Sequence, residues 1–399
     1  MKAKTQIIEA IVDSLDIPAS SYEKAQDRYN DLGKWFCDGK LKVNKPRIYA
    51  QGSFRLGTVI RPLHEDEAFD LDVGCRLEHG ISKATHSQKD LKVLIGVELE
   101  AYKTARRIEN EIEEKHRCWC LEYSDQLRFS EDIVPSIPEE TGTQALLAAA
   151  MARNGVNQEL ATSVAKHAGS ITDNRRPNYS SIDPNWLISN SEGYALWFEA
   201  RMAIATGFQE RLRNMALQAK VEKLPVWRWK TPLQKAIQLL KRHRDSMFIS
   251  NPECKPISII ITTLAAYAYQ GEQDVASAME RILKDMDSYI SPTIPRVPNP
   301  VNQAEDFADK WHRPDCREYM LEKNFERWLT QARSDFKNLE ALYSEERIER
   351  FAQEKFKVRI PKTEMGIILP NLKSLQEPGR PNIITGNPVR PWCKDIESN

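Results

Sequence analysis

Five residues, Phe69-Asp70-Leu71-Asp72-Val73, constrain this 399-residue chain more than any other stretch. Their alternation is that of a half-buried strand, whose successive side chains point to opposite faces. Phe69, Leu71 and Val73 are predicted to enter a core, and Asp70 and Asp72 to stand together on the other face. Carboxylates held side by side repel each other, so a fold keeps them together chiefly where cations neutralise them, and Mg²⁺ is the natural guest. Upstream, Gly52-Ser53 forms a turn between two apolar segments. A glycine lets the backbone approach a ligand closely, and a serine hydroxyl with nearby backbone N–H groups can hold a phosphate oxygen. Phosphate beside paired metal ions means phosphoryl or nucleotidyl transfer. The plainer alternative is an exposed acid pair on an edge strand after an ordinary turn.

Arg117 to Pro138 reads as strand, turn and strand, and within it Asp132 precedes an apolar pair and a proline, Ile133-Val134-Pro135. Asp132 is the candidate third carboxylate. Its rival Glu131 falls on the other face by strand alternation, and a turn-forming aspartate remains the alternative for Asp132 itself.

Lys plus Arg and Asp plus Glu both number 57, so no global basic field advertises nucleic acid and any polyanion site must be local. Hydrophobic residues at 41% with 29% charged describe a globular chain rather than a disordered one. The longest apolar run, Ile257 to Tyr269, is too short to span a bilayer, and no signal-peptide pattern opens the chain, so a cytoplasmic setting is expected; the seven scattered cysteines fit reduced thiols there. His116, Cys118 and Cys120 alternate on a strand, where soft ligands lie too far apart to close a zinc tetrahedron, and small core thiols are expected instead.

The Gly52-Ser53 turn followed by Asp70-x-Asp72 resembles the nucleotidyltransferase superfamily of DNA polymerase beta, poly(A) polymerases and oligoadenylate synthases. More closely, QGSFRLGT followed by FDLDVG is similar to the bacterial cGAS/DncV-like nucleotidyltransferases, the CD-NTases of CBASS anti-phage systems, in which the third acid also sits in an Asp-Ile-Val-Pro context. The resemblance implies two Mg²⁺ ions, or Mn²⁺, on Asp70, Asp72 and Asp132, with Gly52 and Ser53 on the β- and γ-phosphates. It also implies that Lys241 and Ser258 reach the donor triphosphate. Helix-dipole compensation at Lys241 and helix capping by Ser258 are the structural alternatives. The implied substrates are NTPs, ATP and/or GTP with UTP or CTP as further candidates. The implied product is a cyclic di- or trinucleotide messenger, made with release of pyrophosphate and read by a CBASS effector. A monomer that needs neither nucleic acid nor membrane is expected. RNA 3′-end addition and linear oligonucleotide synthesis are the enzyme alternatives, and both call for a basic track. A catalytically silent nucleotide-binding scaffold is the alternative of another class.

Residues 4 to 36 carry helical periodicity broken at Pro18, and 88 to 116 read as one amphipathic helix. An Ala-rich helix is expected over 144 to 170, followed by a basic turn at Arg175-Arg176 that either is solvated or faces the nucleotide. An Asn/Ser turn at 189 to 191 should cap an aromatic helix, with Trp186 packing nearby. A Trp-Arg-Trp turn at 227 to 229 precedes Thr231-Pro232, which predicts a capped helix from Leu233 to Met247, and Pro256 to Tyr269 reads as a core helix. The proline-rich stretch 291 to 303 excludes a helix, Asn299-Pro300-Val301-Asn302 followed by Glu305 to Trp311 resembles the family's ordered loop and helix, and 314 to 356 should form a charged helix pair. The whole predicts a two-lobed α/β protein: a mixed-sheet catalytic lobe at 1–210, a mainly helical lobe at 211–360, and an extended tail at 361–399.

Overall fold

The computed structural model describes residues 2–64, 67, 69–123, 129–204, 229–339, 342 and 344–376. Its N-terminal half is built on a mixed sheet whose strands are β1 (Pro46–Ala50), β2 (Phe69–Leu77), β3 (Glu113–Glu114), β4 (Trp119–Tyr123), β5 (Phe129–Pro138), β6 (Gly169–Ile171) and β7 (Leu187–Ser189). The strands lie in the order β1-β2-β5-β4-β3, with β6 joining the far end of β5 and β7 joining β6. Among the described residues β2 and β5 pair in parallel, and the other pairings of this sheet are antiparallel.

Pro18 breaks the N-terminal helical pattern into α1 (Lys2–Leu15) and α2 (Ala19–Asp38). The two halves enter different cores. Ile7, Ile8, Ile11 and Leu15 of α1 are buried among the helices of the second half, whereas Ala25, Tyr29, Leu32 and Phe36 of α2 are buried against the sheet with Ile48, Leu71, Val73 and Ile133. Each such apolar side chain contributes about 1.5–3 kcal/mol on burial, so the N-terminal segment ties the two halves together.

A five-residue helix, α3 (Gly52–Leu56), follows β1. The helix expected over 88 to 116 is shorter: α4 (Gln88–Arg106) is opened by a Ser87–Asp90 capping box and closed by Arg107 in the left-handed conformation. Its apolar stripe ends at Tyr102, and the chain beyond turns to form β3. The Ala-rich segment is likewise two helices, α5 (Thr141–Arg153) and α6 (Gln158–Ala165), because Gly155 adopts φ +85° and Asn157 caps a new start. Asn190 caps α7 (Ser191–Met202) by accepting from Gly193 N–H, and Trp186, Tyr194, Trp197 and Phe198 are buried packing residues.

The helix predicted from Thr231-Pro232 is α8 (Pro232–Met247), with Thr231 and Gln234 exchanging hydrogen bonds in a capping box. It packs with α9 (Ser258–Ala268), α10 (Val275–Asp285), α11 (Leu321–Asn338) and α12 (Glu345–Phe356). Asp309–Trp311 forms one 3₁₀ turn, but the first part of the expected helix, from Glu305, is not helical. A short ribbon of β8 (Pro298–Asn299) and β9 (Asn302–Asp306) replaces it, because the Asp306 carboxylate accepts from the N–H groups of Arg296, Val297 and Ala308 and folds the chain back on itself. The tail is not wholly extended either. Residues 362 to 376 form α13 (Lys362–Gln376), whose Met365 and Ile368 are buried against the helical core beside α1, and this burial outweighs the weak helix propensity around Pro370. The remainder of the tail, the expected lobe boundary near 210 and most of the Trp-Arg-Trp turn lie outside the described residues. No helix among the described residues is long and apolar enough to cross a membrane.

Candidate active site

The parallel register of β2 and β5 pairs Asp70 with Ser130 and Asp72 with Asp132. Neighbouring strands lie about 4.8 Å apart, so the last two carboxylates stand side by side on one face. Leu71 and Val73 are fully buried on the other face, as alternation requires. Glu131 shares that other face: it is buried, accepts from the Tyr123 hydroxyl at 3.1 Å, and burial pushes its carboxyl up to about 7. Gly52 backs Asp72. It adopts φ +58°, and a Cβ at this position would lie 2.0 Å from Asp72 Oδ2, so a residue without a side chain is required both by the turn and by the close approach.

Asp72 is half-buried, and burial followed by the charges of Asp132 and Asp70 pushes its carboxyl up to about 7. That mutual repulsion is what a cation would relieve, and an all-oxygen donor set suits a hard ion such as Mg²⁺. Among the described residues, however, no three His, Cys, Asp or Glu side chains already gather closely enough to hold an ion. Two contacts account for the spread. The Ser130 hydroxyl donates to Asp70, and Lys115 Nζ donates to Asp132 Oδ1 and Oδ2 at 3.0 and 3.3 Å. The donor chemistry therefore fits the metal, while Asp132 carries a protein cation as its partner. Cys118 and Cys120 also lie against Asp132; burial and that carboxylate push both thiols up to about 12 and keep them protonated, unlike zinc ligands.

The carboxylates stand between two cavities. One of about 600 Å³ is lined by Ser53 and Asp70 on one side and by Lys241, Arg244, Lys255 and Ser258 on the other. The second, about 230 Å³, reaches from Gly52 and Asp72 to Asn299, Glu305 and Phe307. A larger cavity of about 870 Å³ lies between α1, α10 and α11, and no sequence-predicted site residue lines it.

The structure thus brings Gly52, Ser53, Asp70, Asp72, Lys241 and Ser258 to the walls of adjoining cavities, with Asp132 beside Asp72 in the sheet. Lys241 is 7% exposed and donates to the Thr58 carbonyl at 2.9 Å, not to the end of its own helix. Burial, then the neighbouring Arg244, pulls its ammonium down to about 7 against the opposing pull of Asp245 and Asp72. Ser258 makes no capping bond to its helix; its hydroxyl accepts from Arg244 Nη1 at 3.0 Å. Arg175 turns to Asp173 and Arg176 to Asn178, and neither lines the two cavities beside the carboxylates. Sequence reasoning missed Lys115, Ser130 and Lys255 as neighbours of the site. Strand register alone could have flagged Ser130, two residues before Asp132; nothing local marks the other two.

Residues 46–130, which contain β1, α3, β2 and the start of β5, match the nucleotidyltransferase domain of the cyclic GMP-AMP synthase DncV-like family. A c-di-GMP synthase of Roseivirga ehrenbergii is 29% identical over 332 residues, spanning 80% of this chain and 77% of the relative. Residues 46–130 are thus similar to a DncV-like nucleotidyltransferase domain. A second relative, the cyclic dinucleotide synthase CdnG of Bradyrhizobium diazoefficiens, is 23% identical over 76% of this chain and 69% of its own length. The solved structure of CdnG in complex with GTP shares the fold with a TM-score of 0.60 at 18% identity, over 94% of this chain and 100% of the other. The CdnC of an Escherichia coli CdnC:HORMA complex does so with a TM-score of 0.55 at 12% identity, over 89% and 97%.

Proposed function

We propose that this chain joins nucleoside triphosphates into a cyclic di- or trinucleotide. The observation that carries the reading is the in-register pair Asp72–Asp132, with Asp70 on the same strand as Asp72, beside a cation-lined cavity and a smaller one with partly apolar walls. The ribose hydroxyl of one nucleotide attacks the α-phosphorus of another; a new P–O bond forms, the α–β bridging bond breaks and pyrophosphate leaves. After one such transfer for a dinucleotide or two for a trinucleotide, the free ribose hydroxyl attacks the remaining α-phosphorus within the same molecule, and a last pyrophosphate leaves as the ring closes. Mg²⁺ or Mn²⁺ held by Asp70, Asp72 and Asp132 would supply charge neutralisation at the triphosphate and lower the pKa of the attacking hydroxyl. Ser53 and the Gly52 backbone hold phosphate oxygens from the sheet side of the cleft. Lys241, with Arg244 and Ser258 linked to each other, does so from the helical side, and placing these groups on opposite lobes favours closure around the nucleotide. The lobes are residues 1–210 and 211–360.

The relatives' names favour a ring of two nucleotides and make GTP the first substrate to try. Such a product would act by binding an effector in CBASS defence. The zero net charge of the chain supplies no global attraction for an RNA primer, which weighs against the tailing alternative. Replacing Asp70 and Asp72 together by Asn removes charge with little change of volume. The double variant should keep its thermal stability and yield no pyrophosphate from any NTP; full activity in it contradicts the proposal.

A further inference from the structure

Apart from Gly52 and Asp72, the lining of the smaller cavity has no part in the transfer chemistry. At about 230 Å³ it is below the range that encloses a drug-sized ligand, so it fits a base rather than a whole nucleotide. Leu56, Ile259, Tyr194 and Phe307 give it apolar walls, and the last two rings meet edge to face at 5.9 Å. Gly52 and Asp72 close one end and Glu305 lies in its lining.

Glu305 is held rather than free to swing. Asn299 is 4% exposed, its Oδ1 accepts from Val301 N–H at 3.0 Å, and its Nδ2 donates to Glu305 Oε2 at 2.7 Å. Glu305 is partly buried, and no hydrogen bond among the described residues reaches its Oε1, which is left open to a ligand. Burial raises the carboxyl above its ordinary value, against the pull of Asn299 and Arg117. A desolvated carboxylate with open lone pairs costs free energy until donors meet it.

We propose that Glu305, positioned by Asn299, selects guanine for the nucleotide whose base occupies this cavity. Guanine presents two adjacent donors, N1–H and the N2 amine, which a carboxylate can accept as a pair. Adenine presents an acceptor, N1, where guanine has a donor, and a lone pair facing the carboxylate is rejected. Pyrimidines would leave the apolar walls partly unfilled. The inference rests on the nucleotidyl-transfer reading, which supplies the nucleotide, and adds the base and the residue that reads it.

The test compares GTP, ITP and ATP, each alone with Mg²⁺, by pyrophosphate release and by direct binding to the full chain. Inosine lacks only the N2 amine, so the unmodified protein should bind ITP about tenfold more weakly than GTP and ATP more weakly still. In Glu305→Gln the preference for GTP over ATP should fall about ten- to a hundredfold, carried by KM with kcat for GTP less affected. Asn299→Ala should lose part of the same preference. If the unmodified protein binds GTP, ITP and ATP equally, the inference is wrong even though transfer proceeds, and this arm needs no variant to fold. Unchanged selectivity in folded Glu305→Gln is equally fatal to it. Absence of turnover with every NTP instead strikes at the nucleotidyl-transfer reading.

Discussion

Gly52→Ala is the substitution whose consequences the geometry specifies most closely. The added Cβ meets two separate obstacles. Gly52 sits at φ +58°, where a residue with a Cβ is disfavoured by roughly 1–2 kcal/mol. The same Cβ would lie 2.0 Å from Asp72 Oδ2 and 3.0 Å from its Cγ, so the carboxylate must retreat by about 1 Å to reach the shortest separation that side chains tolerate. A rotation of that kind takes Asp72 off its preferred rotamer at about 0.5–1.5 kcal/mol. The combined loss of stability should therefore be about 2–3 kcal/mol, which a protein of ordinary stability survives folded. Activity should suffer more. Misplacing a group at the reacting centre by about 1 Å costs on the order of a hundredfold in rate, and here the displaced group is the central carboxylate of the row. Thermal unfolding and initial rates of pyrophosphate release, measured on the same preparation, separate the two effects. A folded variant with a rate within twofold of the unmodified protein would refute the claim that Gly52 sets the position of Asp72 and that this position matters.

Two further perturbations address the cleft and the lobe behind it. Lys241→Met removes a buried cation and one hydrogen bond to the Thr58 carbonyl, so stability should change by only about 1 kcal/mol while KM for NTP rises at least about tenfold; an unchanged KM rejects a phosphate-holding role. Glu192 contacts Arg47, Arg76 and His167, and although burial alone would raise its carboxyl, His167 and then Arg76 pull it from 4.5 to about 2. Because the folded value is the lower one, the native state gains from ionised Glu192 above the unfolded value and loses that gain as pH falls towards about 2. Glu192→Gln should flatten this acid limb in urea titrations and cost about 3 kcal/mol at neutral pH, and an unaltered acid limb would contradict the assignment.

Much of the carboxylate-bearing strand was legible because its constraint is local. Two acids interleaved with three apolar residues can satisfy only one strand orientation, and Leu71 and Val73 are buried as that orientation demands. Thr231-Pro232 likewise announced α8 through capping chemistry that acts within one turn. The misjudged segments were those governed by partners distant in sequence. The Asp306 carboxylate turns the start of an expected helix into a ribbon by binding N–H groups as far back as Arg296, leaving one 3₁₀ turn at Asp309–Trp311, and α13 forms because Met365 and Ile368 find apolar cover beside the N-terminal helix. Lys115 reaches Asp132 across β4, a relation that depends on hairpin register and leaves no trace in a linear pattern. Ser258 was expected to be a cap if it did not reach phosphate; its actual partner is Arg244, fourteen residues earlier on the preceding helix.

The central claim, that the carboxylate row and its two cavities build a closed nucleotide ring, is tested most directly by analysing the product made without a primer. Purified protein incubated with α-labelled GTP, then with mixed NTPs, and Mg²⁺ should yield a small labelled species that survives phosphatase, because ring closure leaves no terminal phosphate. Its mass should equal two or three nucleoside monophosphate residues joined with no added water. Label recovered only at the 3′ end of an added RNA, or only in linear products that lose phosphate to phosphatase, would contradict the account.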